Sequence, residues 1–305
     1  MSATRGAALH RWLLLGILLL AFGLRLYRLG AESLWYDETV SVYLASKSIP
    51  ALVAHTAGDI HPPGYYLLLH AWTRLAGNSD FSTGFFSLIF GVLLVPLAYR
   101  LAARVFDKKV GLLAALLVAC SPFHLWYSQE VRMYTLGAVL GISALGAVVS
   151  LFAAPPQQLP AWSRLAMYAI CGALGLWMLY YFAFLLVAIN LVVLAWWLVG
   201  WRRKLLGWTW LGRWMLAQGV VLLLYAPWIA VAWRQATQPP VPPWRGFSRL
   251  GSILLESWSA LSLGQSADPA WAWPALLLVA VLFGLGLFYK PEGSGRRVSG
   301  WMVRG

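Results

Sequence analysis

For a chain of 305 residues, this sequence has few acids: ten Asp and Glu against 23 Lys and Arg. Charge of either sign is sparse, at 11% of residues, where an ordinary soluble domain carries roughly 25%. That shortage excludes a soluble globular domain. Cysteine is nearly missing too. Cys120 and Cys171 both lie in apolar runs, where they read as small buried hydrophobes and say nothing about redox compartment. The sequence holds no Walker loop, no dinucleotide-binding glycine pattern, no Cys/His metal spacing and no internal repeat. Nothing therefore points to nucleotide hydrolysis, a nicotinamide cofactor, a structural zinc or a solenoid.

What fills the chain instead is apolar surface: 61% of residues, with nineteen tryptophans. Runs near the ~20 residues that a spanning helix needs recur along its length. The sequence predicts an all-α polytopic membrane protein with about eight transmembrane helices, near 12–29, 81–101, 110–126, 133–152, 164–180, 182–199, 214–233 and 271–289. The first run resembles a signal-peptide core. No Ala-x-Ala site follows it, so it is expected to stay attached. Residues 1–289 read as one membrane-embedded domain and 290–305 as a basic tail, whose Gly293-Ser294-Gly295 reads as linker.

The loops fix an orientation. With both termini inside, inner segments collect fifteen bases and two acids, a balance of +13, while eight bases and eight acids cancel outside. Lys and Arg concentrate in cytoplasmic loops, so the excess charge is explained by orientation without invoking nucleic acid. The expected location is a cell (inner or plasma) membrane, multi-pass. Residues 30–80 form the first external loop, and 234–270 form another that is rich in Pro and Trp. Within the first, Val40, Tyr43 and Leu44, then Tyr65, Leu68, Leu69 and Trp72, have the spacing of amphipathic helices lying on the membrane surface.

The few acids matter because of where they fall. Asp37 and Glu38 sit in Leu34-Trp35-Tyr36-Asp37-Glu38. Asp59 opens Asp59-Ile60-His61-Pro62-Pro63, and Glu130 lies in Ser128-Gln129-Glu130-Val131-Arg132. All are on the predicted external side. A carboxylate near the interface needs a partner. Glycosyl transfer is a reaction such a group serves. An acceptor hydroxyl loses a proton as it attacks the sugar carbon, and a positioned Asp or Glu can take it. A phosphate leaving group needs cations or hydrogen-bond donors, and Arg132, Arg25, Arg28 and His61 are on the same side. Local readings compete: Arg132 could simply pair with Glu130, and His61 could cap the helix that follows.

Trp35-Tyr36-Asp37-Glu38, then Asp59-Ile60-His61-Pro62-Pro63-Gly64-Tyr65-Tyr66, then Trp126-Tyr127-Ser128-Gln129-Glu130-Val131-Arg132-Met133-Tyr134 resemble the polytopic GT-C glycosyltransferases. The nearest branch is similar to bacterial relatives of the protein O-mannosyltransferase and aminoarabinose transferase superfamily. The resemblance implies an inverting enzyme that moves a sugar from a polyprenyl-phosphate donor to a glycan, lipid or protein acceptor. It assigns Asp37 as the catalytic base with Glu38 as its acidic neighbour. Asp59, His61, Glu130 and Arg132 become substrate-binding residues, and Arg25, from its charge and its side, is expected to join them. It leaves metal dependence open, since some relatives bind a divalent ion and others do not; Asp37 and Glu130 are the residues that could hold one. Family members usually continue through further spans, so the chain reads as a short or a truncated member. Two rival classes stand beside the enzyme: a transporter or flippase of polyprenyl-linked sugars, and a non-catalytic membrane partner. The transporter reading calls for polar groups at mid-membrane, for which Asn190 and Gln218 are the candidates.

Overall fold

A computed structural model describes residues 2–155, 158–240 and 249–288. The tail at 290–305 and part of the loop at 234–270 lie outside the described residues. Among those described there are thirteen α-helices and no strand. Six helices are long and apolar enough to cross a membrane, or seven if one bent pair is counted as a span. The chain is a multi-pass, all-α membrane protein. It divides into two compact units.

The first unit takes residues 1–32, 87–130 and 242–305. It contains α1 (Ser2–Leu26), most of α5 (Asp80–Val105), α6 (Lys108–Cys120), α7 (Pro122–Gln129), α12 (Leu250–Leu263) and α13 (Pro269–Phe288). Ala21, Ala115, Ala119 and Val95 form its small buried core. Small residues let spanning helices approach closely where lipid gives no hydrophobic drive. The third apolar run is not one straight helix. It bends by 56° between α6 and α7, because Pro122 cannot donate to the carbonyl one turn earlier. The Asp107 carboxylate caps the start of α6, accepting from the N–H groups of Lys109 (2.7 Å) and Val110 (2.9 Å). Helix α12 lies within the stretch expected to be loop, and Gly264 ends it at φ +97°.

The second unit takes residues 33–86 and 131–241. It holds α2 (Tyr36–Ser46), α3 (Ile49–Ala57), α4 (Gly64–Ala76), the first turns of α5, α8 (Tyr134–Phe152), α9 (Trp162–Met178), α10 (Phe182–Arg202) and α11 (Trp208–Thr237). The two amphipathic helices expected between the first spans are α2 and α4, and α3 between them is an addition. The fifth apolar run is α9, which at 17 residues is slightly short of a full span. The break between the fifth and sixth runs falls at Leu179–Tyr181, where no polar residue marks it. Tyr168, Trp210, Trp214 and Trp228 pack into this unit's core with Val193 and Leu186. Half-buried Asn190 donates to the Gln218 side-chain oxygen (3.1 Å) and accepts from Trp214 (2.9 Å), so these polar groups in mid-span are partly paired, while the Gln218 amide nitrogen is buried without a partner among the described residues.

Candidate active site

The second unit brings five of the seven expected site residues together. Asp37 and Glu38 occupy the first turn of α2, where carboxylates are favoured by the helix dipole. Glu38 is buried, and both of its oxygens accept from backbone: Oε1 from Val131 N–H (2.8 Å) and Oε2 from Trp35 N–H (3.1 Å). It therefore ties the start of α2 to the turn before α8. Burial raises its carboxyl above the usual range, although the N–H groups of Val131 and Trp35 oppose the shift.

That tie sets Arg132 against Asp37. The Arg132 guanidinium is 3% exposed and lies 3.7 Å from an Asp37 side chain that is 39% exposed. Its Nη1 also donates to the Asp37 carbonyl (3.3 Å). Its Nη2 faces His61 Nε2 at 3.3 Å, and His61 Nδ1 faces the Asp59 carboxylate at 3.8 Å. For Nε2 to accept from an arginine, the ring proton must sit on Nδ1, pointing to Asp59. The order Asp59, His61, Arg132, Asp37 is thus one continuous chain of side chains. His61 does not cap α4, whose N-cap is Pro63 with no side-chain bond. Pro62 and Pro63 disfavour the helical region for the residue before each of them, and Pro63, already helical at φ -78° and ψ -14°, starts α4 just after His61.

Two charges in the chain, on Asp59 and Arg132, are tuned by their neighbours. The hydrogen bond from His61 holds the Asp59 carboxyl below the usual carboxylate range against the opposing effect of burial. Burial works against the Arg132 charge, but Tyr66, Tyr134 and Asp37 outweigh it, so its pKa moves up. Tyr66 is itself pushed up to about 12 by burial, and remains a neutral donor. Tyr134 also lies under the guanidinium, 5.9 Å from ring centre to Cζ. Both tyrosines fall inside the quoted sequence motifs, but neither carries a charge that would mark it.

The remaining two expected residues belong to the first unit. Arg25 is fully buried, and its donors are aimed at chain atoms. Nε donates to Ser128 Oγ (3.1 Å), Nη1 to the carbonyls of Ala21 and Ala119 (3.0 Å each), and Nη2 to the Val118 carbonyl (3.0 Å) and His124 Nδ1 (3.1 Å). Val118 is the residue whose carbonyl Pro122 leaves without a helical donor. Arg25 supplies the bond and holds the break between α6 and α7. Glu130 accepts from Trp126 Nε1 at 2.5 Å, one turn back along α7. Gln129 donates to the carbonyls of Arg25 (3.0 Å) and Tyr27 (2.8 Å), closing the end of α1.

Among the described residues no three His, Cys, Asp or Glu side chains converge as a metal site. Of the two carboxylates that could hold one, Asp37 faces the Arg132 guanidinium and Glu130 accepts from Trp126 Nε1.

A family model for dolichyl-phosphate-mannose-protein mannosyltransferases matches residues 60–231, more than half of the chain. Comparison with individual curated proteins gives no match. The matched stretch begins at Ile60, next to Asp59, and includes His61, Arg132 and all of α8 to α10.

Proposed function

The chain belongs to the dolichyl-phosphate-mannose-protein mannosyltransferase family, and on that premise we propose that it moves a sugar from a polyprenyl-phosphate carrier to a glycan, lipid or protein acceptor at the external membrane face. The family makes it a membrane glycosyltransferase of the GT-C kind. The donor, the face and the roles of individual residues are our reading. The observation that carries it is a buried arginine set against a half-open aspartate. Arg132 is fixed by Tyr66, Tyr134 and His61, and Asp37 alone of the group reaches solvent to this extent.

In this reading an acceptor hydroxyl attacks the anomeric carbon from the face opposite the phosphate. The new C–O bond forms as the sugar–phosphate bond breaks, which inverts the anomeric centre. The hydroxyl proton passes to Asp37. The bond's electron pair leaves with the phosphate, whose growing charge Arg132 meets with a planar fork of donors, supported by His61. Asp59 holds the imidazole tautomer that keeps His61 paired with Arg132. Glu38 orients: with both oxygens engaged it fixes α2 to Val131 and leaves proton transfer to Asp37. Glu130 stays with the acceptor side of the reading.

The rival reading, carriage of a lipid-linked sugar across the membrane, would use the cavity of about 450 Å³ beside Asn190 and Gln218. Its walls are Leu186, Leu191, Leu194, Val221 and other apolar side chains, and its two amides are bonded to one another. That lining suits a hydrocarbon chain better than a sugar, and supports the enzyme.

The test is transfer of radiolabel from a panel of polyprenyl-phosphate sugars, mannose first, into membranes carrying the protein. Asp37→Asn is nearly isosteric and cannot take the proton, so transfer at saturating donor should fall by ~100- to 10,000-fold while donor binding persists. Glu38→Gln should cost less. Near-normal turnover in both variants would place the site elsewhere; loss in Glu38→Gln alone would exchange the two roles.

A further inference from the structure

The arm that carries Asp59 and His61 has little hold on itself. Gly58 and Asp59 close the end of α3 through N–H bonds to His55 (2.9 Å) and Thr56 (3.2 Å). Beyond His61, Pro62 and Pro63 have no N–H to give. The carbonyls at the end of α3 have no helical donor, as at any helix C-terminus.

The group that meets them comes from the far end of the second unit. Gln235, near the end of α11, is 7% exposed. Its Nε2 donates to the carbonyls of Thr56 (2.8 Å) and Ala57 (3.2 Å), and to that of Asp59. Its Oε1 accepts from the Tyr180 hydroxyl, which accepts in turn from Trp228 Nε1 (2.8 Å). Trp228 and Tyr180 fix the amide so that both hydrogens point into the arm. The neighbouring Arg234 reaches only Ala57 (2.8 Å) and is exposed.

We propose that Gln235 is a positioning residue for donor binding, acting through the Asp59–His61 arm, with Tyr180 and Trp228 fixing its amide. The proposal rests on the reading of His61 and Arg132 as the phosphate-holding pair. A single primary amide spans a helix end and the backbone of a site residue. Losing its donors frees the arm to swing, which withdraws the imidazole from Arg132 but leaves Asp37 and Glu38, held by α2, where they are.

The consequence is a split between KM and kcat that general destabilisation does not produce. Gln235→Met keeps the volume and removes the donors. With polyprenyl-phosphate mannose, or whichever panel member turns over, donor KM should rise on the order of tenfold, the value of one or two lost hydrogen bonds, while kcat stays within about threefold. Amide hydrogen exchange over residues 56–61 should accelerate in the membrane-reconstituted protein, with α2 unchanged. Tyr180→Phe removes only the hydroxyl behind the amide and should shift both readouts the same way by less; it carries the test if Gln235→Met does not fold. His61→Ala, run alongside, separates the two claims. If it raises donor KM and the Gln235 and Tyr180 variants leave KM or exchange unchanged, the positioning role is overturned and the site reading stands. A loss of kcat with normal KM also overturns it. If His61→Ala leaves donor KM unchanged, the site reading falls and this inference falls with it. In the His61→Ala background, Gln235→Met should add no further rise in KM.

Discussion

Among the described residues two arginines are buried, one in each unit, and they are used differently. Arg25 donates to three carbonyls, a serine and an imidazole, all neutral. Arg132 faces a carboxylate that still sees solvent, an imidazole and two tyrosines. A buried cation whose donors all end on the chain is a brace: its cost of burial is offset only by the bonds it makes. A buried cation beside a half-open carboxylate is placed where an incoming anion can compete for it. The motif Ser128-Gln129-Glu130-Val131-Arg132 is where the two uses meet in sequence, since Ser128 and Gln129 serve the first arginine's helix and Val131 and Arg132 serve the site.

The comparison breaks most directly by substitution. Arg25→Met leaves the carbonyls at the α6–α7 break without donors. It should cost about 3 kcal/mol or more of stability, seen as a lowered melting temperature in detergent with donor affinity unchanged in the fraction that folds. Arg132→Lys should do the reverse, keeping the melt and weakening donor binding by about 1.5–3 kcal/mol, because an ammonium lacks the planar fork. If Arg25→Met weakens donor binding and spares stability, the brace is instead a ligand.

A smaller change sharpens the same point. Gly91 in α5 faces Ser128 Oγ and Arg25 Nε, and an added Cβ would collide with the serine. Gly91→Ala should destabilise by about 1–3 kcal/mol through overpacking. Gly16→Ala in α1, with nothing within 4 Å, should be neutral or slightly stabilising. Equal melts for the two would show that the brace tolerates displacement.

The smallest effect is in pH. His61 lowers the folded-state pKa of Asp59. A depressed carboxyl contributes stability that is complete above its ordinary value of roughly 4 and is lost as pH falls through the lowered folded value. Asp59→Asn should therefore flatten the acid limb of the unfolding curve. Glu38, with a raised pKa, has the opposite sign and loses stability as pH rises above about 4. An unchanged acid limb in Asp59→Asn would remove the Asp59–His61 bond from the site's electrostatics.

Much of this was legible in the residues. Each of the eight apolar runs is a helix or, at α6 and α7, a helix pair, because hydropathy and backbone satisfaction leave a chain in lipid few other choices. Asp37, Glu38, Asp59, His61 and Arg132 were legible as rare charges in one stretch of motifs. The bend at Pro122 was not, since a proline inside an apolar run is compatible with a kinked span as well as with a break. Nor was the work of Arg25: an arginine at the end of a span ordinarily snorkels to water, and only the carbonyl left by Pro122 shows why this one turns inward. Gln235 was the least visible. A glutamine that donates to carbonyls reads no side chain, so no motif or spacing betrays its partners 176 to 179 residues away.

Gly64 has a further consequence. A Cβ there would come within 2.5 Å of the Trp177 carbonyl and 2.7 Å of Met178, so the start of α4 rests directly on the end of α9. An amphipathic helix left to itself would take its depth from the lipid around it, rising or sinking with headgroup composition and bilayer thickness. This one is seated on protein. The seat of α4, and with it that of the turn carrying His61, is therefore set by its contact with α9.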